Sequence, residues 1–74
     1  MSRAPVVVHR SSVSGGRRVA LYRDGHDVFL GFAHSDHDLV VFLEGAGIAQ
    51  PDTVLDQPLM VEWRGGSAHD FSAA

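Results

Sequence analysis

With 74 residues and no cysteine, the chain has room for one domain whose thin core must be held by packing alone, without disulfides or thiolate metal sites. Apolar residues make up 45% of the sequence and charged residues 20%, which excludes a disordered protein and leaves room for apolar surface covered by a partner. With a net charge of −3, the chain lacks the positive field that most nucleic-acid-binding proteins use. No apolar run approaches the ~20 residues that a membrane-spanning helix needs.

Three strands are predicted in the first half of the chain. A run of three valines predicts a strand over residues 5–10, and the polar, glycine-containing residues 11–16 predict a flexible turn after it. Alternating apolar residues predict a second strand from Arg17 to Asp24-Gly25, a pair typical of two-residue hairpin turns because both positions require positive φ. The third strand therefore begins at His26.

The hairpin turn also predicts which side chains face the core. Pairing outward from the turn places three residues of the second strand opposite three of the third: Leu21 with Val28, Val19 with Leu30, and Arg17 with Phe32. One side of the hairpin then collects the apolar residues expected in the core: Val19, Leu21, Val28, Leu30 and Phe32. A slip of one residue would bury Tyr22 and Phe29 in their place, so the aliphatic alternation supports this turn.

One helix is predicted after the hairpin. Ser35 precedes Asp36-His37-Asp38, and a serine followed three residues later by an acid is close to a capping box at a helix start. With Val40 at the margin, apolar residues recur at the i, i+3, i+4 and i+7 spacing of one helical stripe: Leu39, Phe42, Leu43 and Ala46. Gly45 and Gly47 end the helix.

The remainder of the chain is predicted as loop, strand and tail. Pro51 and Pro58 bracket a loop, and the first proline excludes continuation of the helix. A last strand with one buried face is predicted from three alternating residues: Leu59, Val61 and Trp63. Residues 65–74 look frayed, and Phe71 among them is expected either to pack back onto the domain or to contact another chain.

The fold class is therefore α+β. We expect a small two-layer domain of order β-β-β-α-β, with a mainly antiparallel sheet and one helix packed on one face. The whole chain, residues 1–74, is expected to form this single domain, with its ordered core over residues 5–64.

A histidine cluster offers one alternative function, the binding of a metal or small anion. His34 and His37 lie three residues apart beside Asp36, and nitrogen and carboxylate ligands at such spacing can bind zinc. Further ligands would come from His26 or His69. The competing interpretation of these residues is helix capping and solvation at the surface.

Catalysis and phosphate binding find little support in the sequence. A serine at position 11, 12 or 14 could combine with His9 and an acid, but no Gly-x-Ser-x-Gly segment occurs, so we expect no enzyme and no cofactor. The glycine-arginine segment 14–18 has a composition that suits an oxyanion, but it runs into a strand rather than into the helix of a P-loop. It is interpreted as an adaptable connection flanked by solvated arginines.

Residues 10–47 contain four short segments in a fixed order: Arg10-Ser11-Ser12-Val13-Ser14-Gly15-Gly16, Arg23-Asp24, the strand through Phe29 and Phe32, and Phe42-Leu43-Glu44-Gly45. In this order they resemble a family of short, functionally undefined actinobacterial proteins, whose members open with Ser-Ser-aromatic-Ser-Gly-Gly and finish on a helix with a Phe-Leu pair. The chain departs from the family at Val13, where an aromatic is usual, lacks the helical tryptophan and adds the strand around Trp63. Because members are often encoded beside helix-turn-helix regulators, the resemblance implies a regulatory, protein-binding role.

The sequence thus predicts a noncatalytic protein–protein interaction module in the bacterial cytoplasm, since the short apolar run near the start is too brief for a signal peptide. Its expected partners are another protein, such as a helix-turn-helix regulator, and a second copy of the chain in a homodimer. The predicted interaction surface comprises an unpaired sheet edge and six residues: Arg10, Arg17, Arg18, Tyr22, Arg23 and Phe71. A third alternative is single-stranded nucleic-acid binding through Tyr22, Phe29 and the arginines.

Overall fold

The computed structural model describes residues 4–73, so residues 1–3 and Ala74 of the predicted domain and tail lie outside the described residues. Its elements follow the order β1 (Val6–Ser11), β2 (Arg17–Arg23), β3 (His26–Ala33), α1 (Asp36–Gly45), α2 (Pro51–Val54) and β4 (Val61–Trp63). The strands form one sheet in the order β3-β2-β1-β4, antiparallel except for the parallel β1–β4 pair. The predicted α+β class, with one main helix and a mainly antiparallel sheet, is confirmed.

The core lies between one face of the sheet and the two helices. Ten buried apolar residues form it: Val6, Val8, Val19, Leu21, Ala33, Leu39, Leu43, Val54, Leu55 and Val61. The strand residues in this list alternate along β1 and β2 and stand opposite one another in the register, so they share one face. We call this the covered face and the opposite side of the sheet the open face.

The β2–β3 hairpin turns where the sequence predicts. Asp24 and Gly25 have φ angles of 54° and 81°, as a two-residue turn with both positions left-handed requires, and Leu21 stands opposite Val28. Val28 is nevertheless 43% exposed, because it lies near the turn on the outermost strand.

A β-bulge interrupts the hairpin four residues after the turn. Ala20 pairs with Phe29 but Val19 pairs with Gly31, so β3 contains one extra residue at this point. The predicted pairs of Val19 with Leu30 and of Arg17 with Phe32 are therefore wrong. The inserted residue moves Phe32 from the predicted core to the open face, where it is 48% exposed.

Gly31 lets α1 approach the sheet at this bulge. Its φ of +149° is a backbone conformation that residues with a Cβ rarely adopt. A Cβ at this position would lie 2.8 Å from Cζ of Phe42, far inside van der Waals contact. Glycine here thus serves both the bulge and the close packing of the helix.

Helix α1 begins and ends as predicted. The Ser35 hydroxyl accepts a hydrogen bond from the Asp38 amide at 3.2 Å, while the Asp38 carboxylate accepts one from the His34 amide at 2.9 Å. Leu39 and Leu43 on the predicted apolar stripe are fully buried. At the other end, Gly47 has a φ of +85° and its amide donates to Glu44, and the Ile48 amide donates to Leu43, which forms a Schellman motif.

The segment between the prolines differs from the prediction in two ways. It contains the one-turn helix α2, because Pro51 occupies the first helical turn, where its missing amide costs nothing. Leu59 is wrong as a buried strand residue: residues 58–60 form a turn, in which the Met60 amide donates to the Gln57 carbonyl, and Leu59 is 84% exposed. β4 consequently has only three residues.

Residues 65–73, which the sequence predicts as a frayed end, lie along the domain and are called the C-terminal strap here. The Gly16 amide donates a hydrogen bond to the Phe71 carbonyl. The Phe71 ring meets Trp63 edge-to-face with centroids 5.8 Å apart, so of the two predicted roles for Phe71 the structure shows packing back onto the domain.

Candidate functional site: the open face of the sheet

The open face presents side chains from all four strands. Register and alternation place nine residues on it: Val7, His9, Arg18, Ala20, Tyr22, Asp27, Phe29, Phe32 and Glu62. Val7 and Ala20 are only 3% and 7% exposed, so the larger side chains around them shield a small apolar floor. Both helices of the described residues pack on the covered face instead.

An exposed pair of phenylalanines dominates the β3 side of this face. The rings of Phe29 and Phe32 meet edge-to-face with centroids 5.5 Å apart and an interplanar angle of 69°. Phe29 is 57% exposed, Phe32 is 48% exposed and nearby Tyr22 is 40% exposed. Large apolar side chains exposed together mark interaction surfaces more often than single ones do.

His9 lies among charges of both signs on the open face. Burial lowers the pKa of His9 below its ordinary value of 6.5, and the positive charges of Arg18 and Arg64 lower it further. The negative charges of Asp27 and Glu62 act in the opposite direction but are the smaller influence. His9 is therefore neutral at neutral pH.

The two ends of the sheet carry opposite charge. At the end where β2 turns into β3, the two carboxylates of Asp24 and Asp27 outnumber the guanidinium of Arg23. At the opposite end, where β1 and β4 finish and β2 begins, lie the exposed arginines Arg10, Arg18 and Arg64. We call these the acidic end and the basic end.

Arg17, predicted as a surface residue, is only 1% exposed and is therefore not part of a solvent-accessible interaction surface. Its guanidinium points to the covered side and lies 5.3 Å from the centroid of the Trp63 ring. It donates hydrogen bonds of 2.7 to 2.9 Å to four backbone carbonyls: those of His9, Arg64, Ser67 and Asp70. Burial lowers the pKa of Arg17, although arginine remains charged, so this cation fastens the strap to the sheet.

His69 makes a second attachment of the strap, which we call the His69 clasp. Its Nδ1 contacts the Asp36 carboxylate at 2.7 Å and its Nε2 contacts that of Asp56 at 2.5 Å. The imidazole can donate from both ring nitrogens only when it is charged, so this arrangement favours the charged form. Accordingly, the hydrogen bonds to Asp36 and Asp56 raise the pKa of His69.

The predicted metal ligands are not brought together. His26 lies in the hairpin, opposite Arg23, while His34 lies with its ring against Gly16, and His37 is exposed in the first turn of α1. Asp36, the fourth candidate, is occupied by the His69 clasp. Within residues 4–73, no three histidine, aspartate or glutamate side chains are grouped so that they could hold a metal ion.

The glycine-arginine segment is closed on itself rather than open to an anion. The Gly15 amide donates to the Ser12 carbonyl, and the Gly16 amide donates to the strap. The Ser12 hydroxyl donates to the Gly15 carbonyl at 2.6 Å. Because Arg17 is also fully engaged, the expected solvated arginine pair beside this segment is reduced to Arg18.

The other predicted surface residues divide between two regions. Arg18 and Tyr22 lie on the open face, and Arg10 lies at the basic end. Arg23 points to the other layer, where its Nη2 donates to the Ala46 carbonyl at 2.6 Å and so caps the end of α1.

Phe32 is the site residue that the sequence prediction missed. Strict alternation from the turn assigns it to the core, and only the bulge places it beside Phe29. The sequence does carry an indication of this, since an isolated glycine inside a strand pattern often marks a bulge, and Gly31 is such a glycine.

Comparison with known proteins adds no relative to this picture. No protein-family model matches the sequence, and no curated protein or solved structure gives a significant match. Among residues 4–73, neither helix has the length and apolar character that crossing a membrane requires. The geometry of the open face therefore carries the functional argument.

Proposed function

We propose that the chain is a noncatalytic protein–protein interaction module that binds its partner through the open face of the sheet. The observation that carries this proposal is the half-exposed pair of Phe29 and Phe32 above a shielded apolar floor. Aromatic residues are enriched at the energetic centres of protein interfaces, where neighbouring polar groups exclude water. His9, Arg18 and Glu62 supply such a polar surround.

A protein partner suits this face better than single-stranded nucleic acid does. Successive bases stack on exposed aromatic faces in a positively charged groove. Here the two phenylalanine rings stand at 69° to each other, so they do not form one flat platform. Asp27 lies on the same face of β3 as Phe29, so it also places negative charge near the rings.

The resemblance of residues 10–47 to short actinobacterial proteins supports a regulatory role for this binding. Under that proposal, the partner is a helix-turn-helix transcriptional regulator and the setting is the bacterial cytoplasm. The open face offers such a regulator an apolar centre with a mixed charged rim.

The proposal is tested by affinity capture with matched baits. The double variant Phe29→Thr/Phe32→Thr removes both rings but keeps residues that favour strands. Leu59→Thr is the control, because Leu59 is 84% exposed in a turn outside the sheet. Each bait is immobilised, incubated with lysate of the source organism and analysed by mass spectrometry after its fold is verified by circular dichroism.

We expect at least one protein to be captured by the wild type and by Leu59→Thr but not by the double variant. Purified helix-turn-helix regulators identified in this way should then bind the wild type and Leu59→Thr and fail to bind the double variant. Retention of the same proteins by all three baits would contradict the proposal, because binding would then not involve the open face.

A further inference from the structure

We propose that a second copy of this chain binds at the β3 edge, with the two β3 strands antiparallel across a two-fold axis. The inference rests on the proposed use of the open face and specifies one partner for it. The resulting sheet would have eight strands, with both phenylalanine pairs on the same continuous face.

The first argument is the unpaired edge of β3. β3 has eight residues and, among the described strands, pairs only with β2. The Tyr22 amide donates to the Pro5 carbonyl on the β1 side, so the backbone groups of Tyr22 and Asp27 point away from each other, as in the non-hydrogen-bonded pairs of an antiparallel ladder. Phe29, two residues further along, belongs to the same kind of pair, and its backbone amide and carbonyl therefore point to the edge.

The second argument is the position of the aromatic pair. Phe29 and Phe32 lie on this edge strand itself, not in the middle of the sheet. Strand addition at β3 therefore pairs the backbone and brings the two aromatic pairs side by side on the extended sheet in the same event. An edge strand with exposed apolar side chains readily pairs with another chain, and the bulge after Phe29 interrupts the continuous pairing within β3.

The third argument is charge complementarity between two copies. An antiparallel arrangement of β3 with β3 places the acidic end of one protomer beside the basic end of the other. If Asp27 of one copy lies opposite Phe32 of the second, it is about two strand spacings, ~10 Å between backbones, from the Arg18 that pairs with that Phe32, and the two side chains can span this distance. Asp27 also has an interaction within its own chain, which Arg18 of the second copy would add to. Each dimer contains this contact twice, and a parallel arrangement would instead bring like charges together.

The experiment measures mass by sedimentation velocity and light scattering from micromolar to millimolar concentration. We expect the wild type to approach twice the 8.0 kDa monomer mass as concentration rises. Phe29→Thr/Phe32→Thr should weaken association at least about tenfold, the equivalent of ~1.4 kcal/mol. Leu59→Thr should associate like the wild type.

A charge-swapped pair tests the antiparallel geometry specifically. Asp27→Arg alone places arginine against Arg18, and Arg18→Asp alone places aspartate against Asp27, so each variant should be monomeric where the wild type is dimeric. When the two are mixed, both contacts become attractive again, and the mixture should recover dimers. Circular dichroism verifies that each single variant is folded.

A wild type that stays at 8.0 kDa throughout would overturn this inference. The proposed function would still stand if capture of another protein depended on Phe29 and Phe32. A dimer that is insensitive to the phenylalanine substitutions, or charge-swapped variants that fail to recover dimers when mixed, would equally refute β3 as the interface.

Discussion

Replacing Arg17 with methionine removes the cation that holds the C-terminal strap to the sheet. The substitution keeps an unbranched apolar stem but deletes four charged hydrogen bonds to backbone carbonyls. Each such bond contributes about 1.5–3 kcal/mol net, and relief of the buried charge offsets part of the sum. We therefore expect the free energy of unfolding to fall by about 3–5 kcal/mol, because four partly buried carbonyls lose their donor.

That loss is large for a domain of this size. At about 0.05–0.15 kcal/mol per residue, a chain of 74 residues has a stability of roughly 4–11 kcal/mol. Arg17→Met should thus leave the domain marginally stable or unfolded at 25 °C. Arg17→Lys should be intermediate, because an ammonium has three donors for four carbonyls.

Urea denaturation followed by tryptophan fluorescence measures this effect. Trp63 is the only tryptophan, and its ring lies 5.3 Å from the guanidinium, so its emission reports the environment in question. Arg18→Met is the matched control, since Arg18 is exposed on the other face and its loss should change stability by no more than about 0.5 kcal/mol. If Arg17→Met and Arg18→Met unfold at the same urea concentration, the account of the strap is refuted.

Three further substitutions probe other parts of the fold. Gly31→Ala should lower the thermal midpoint and cost about 1–3 kcal/mol, because the new Cβ meets the Phe42 ring in a left-handed backbone conformation. Ser35→Ala should cost about 1 kcal/mol in urea denaturation through loss of the α1 cap. The pKa of His69 in the folded chain is raised above the ordinary 6.5. The His69 clasp should therefore contribute its full stabilisation below pH 6.5 and lose it as the pH rises through the pKa of the folded state. Each of the two partly exposed ion pairs of His69 contributes less than about 1 kcal/mol. His69→Gln should remove this pH dependence when the free energy of unfolding is measured as a function of pH.

Each of these results has a control. A Cβ at Gly45 meets no atom within 4 Å, so Gly45→Ala should be neutral or stabilising, and equal losses at both glycines would contradict the close packing at Gly31. Ser35→Asp should retain most of the cap. An unchanged pH profile in His69→Gln would mean that the clasp contributes no stability.

Local chemistry made much of the architecture predictable. The Asp24-Gly25 turn, the Ser35 cap and the glycine that ends α1 depend on residues within one turn of each other, and all three are confirmed. The apolar stripe of α1 is confirmed for the same reason, since its period is a property of the helix itself.

Two of the wrong predictions concern residues whose positions depend on pairing or contacts outside their own segment. Alternation alone could not locate the bulge that turns Phe32 outward, because a single inserted residue reverses every assignment beyond it. Arg17 looks like a solvated surface residue until residues 64–70 bring three of its four carbonyl partners from the other end of the chain.

The sequence by itself determined the first three strands, helix α1, the hairpin turn and the α+β class, since these depend on short-range backbone and periodicity rules. Only the tertiary structure decided which residues form the open face, because the bulge places Phe32 beside Phe29 and the strap buries Arg17. The proposed interaction surface depends on both features. The bulge lets α1 pack against the sheet at Gly31, and the strap provides carbonyls for the buried guanidinium of Arg17, so neither can be read from one local segment.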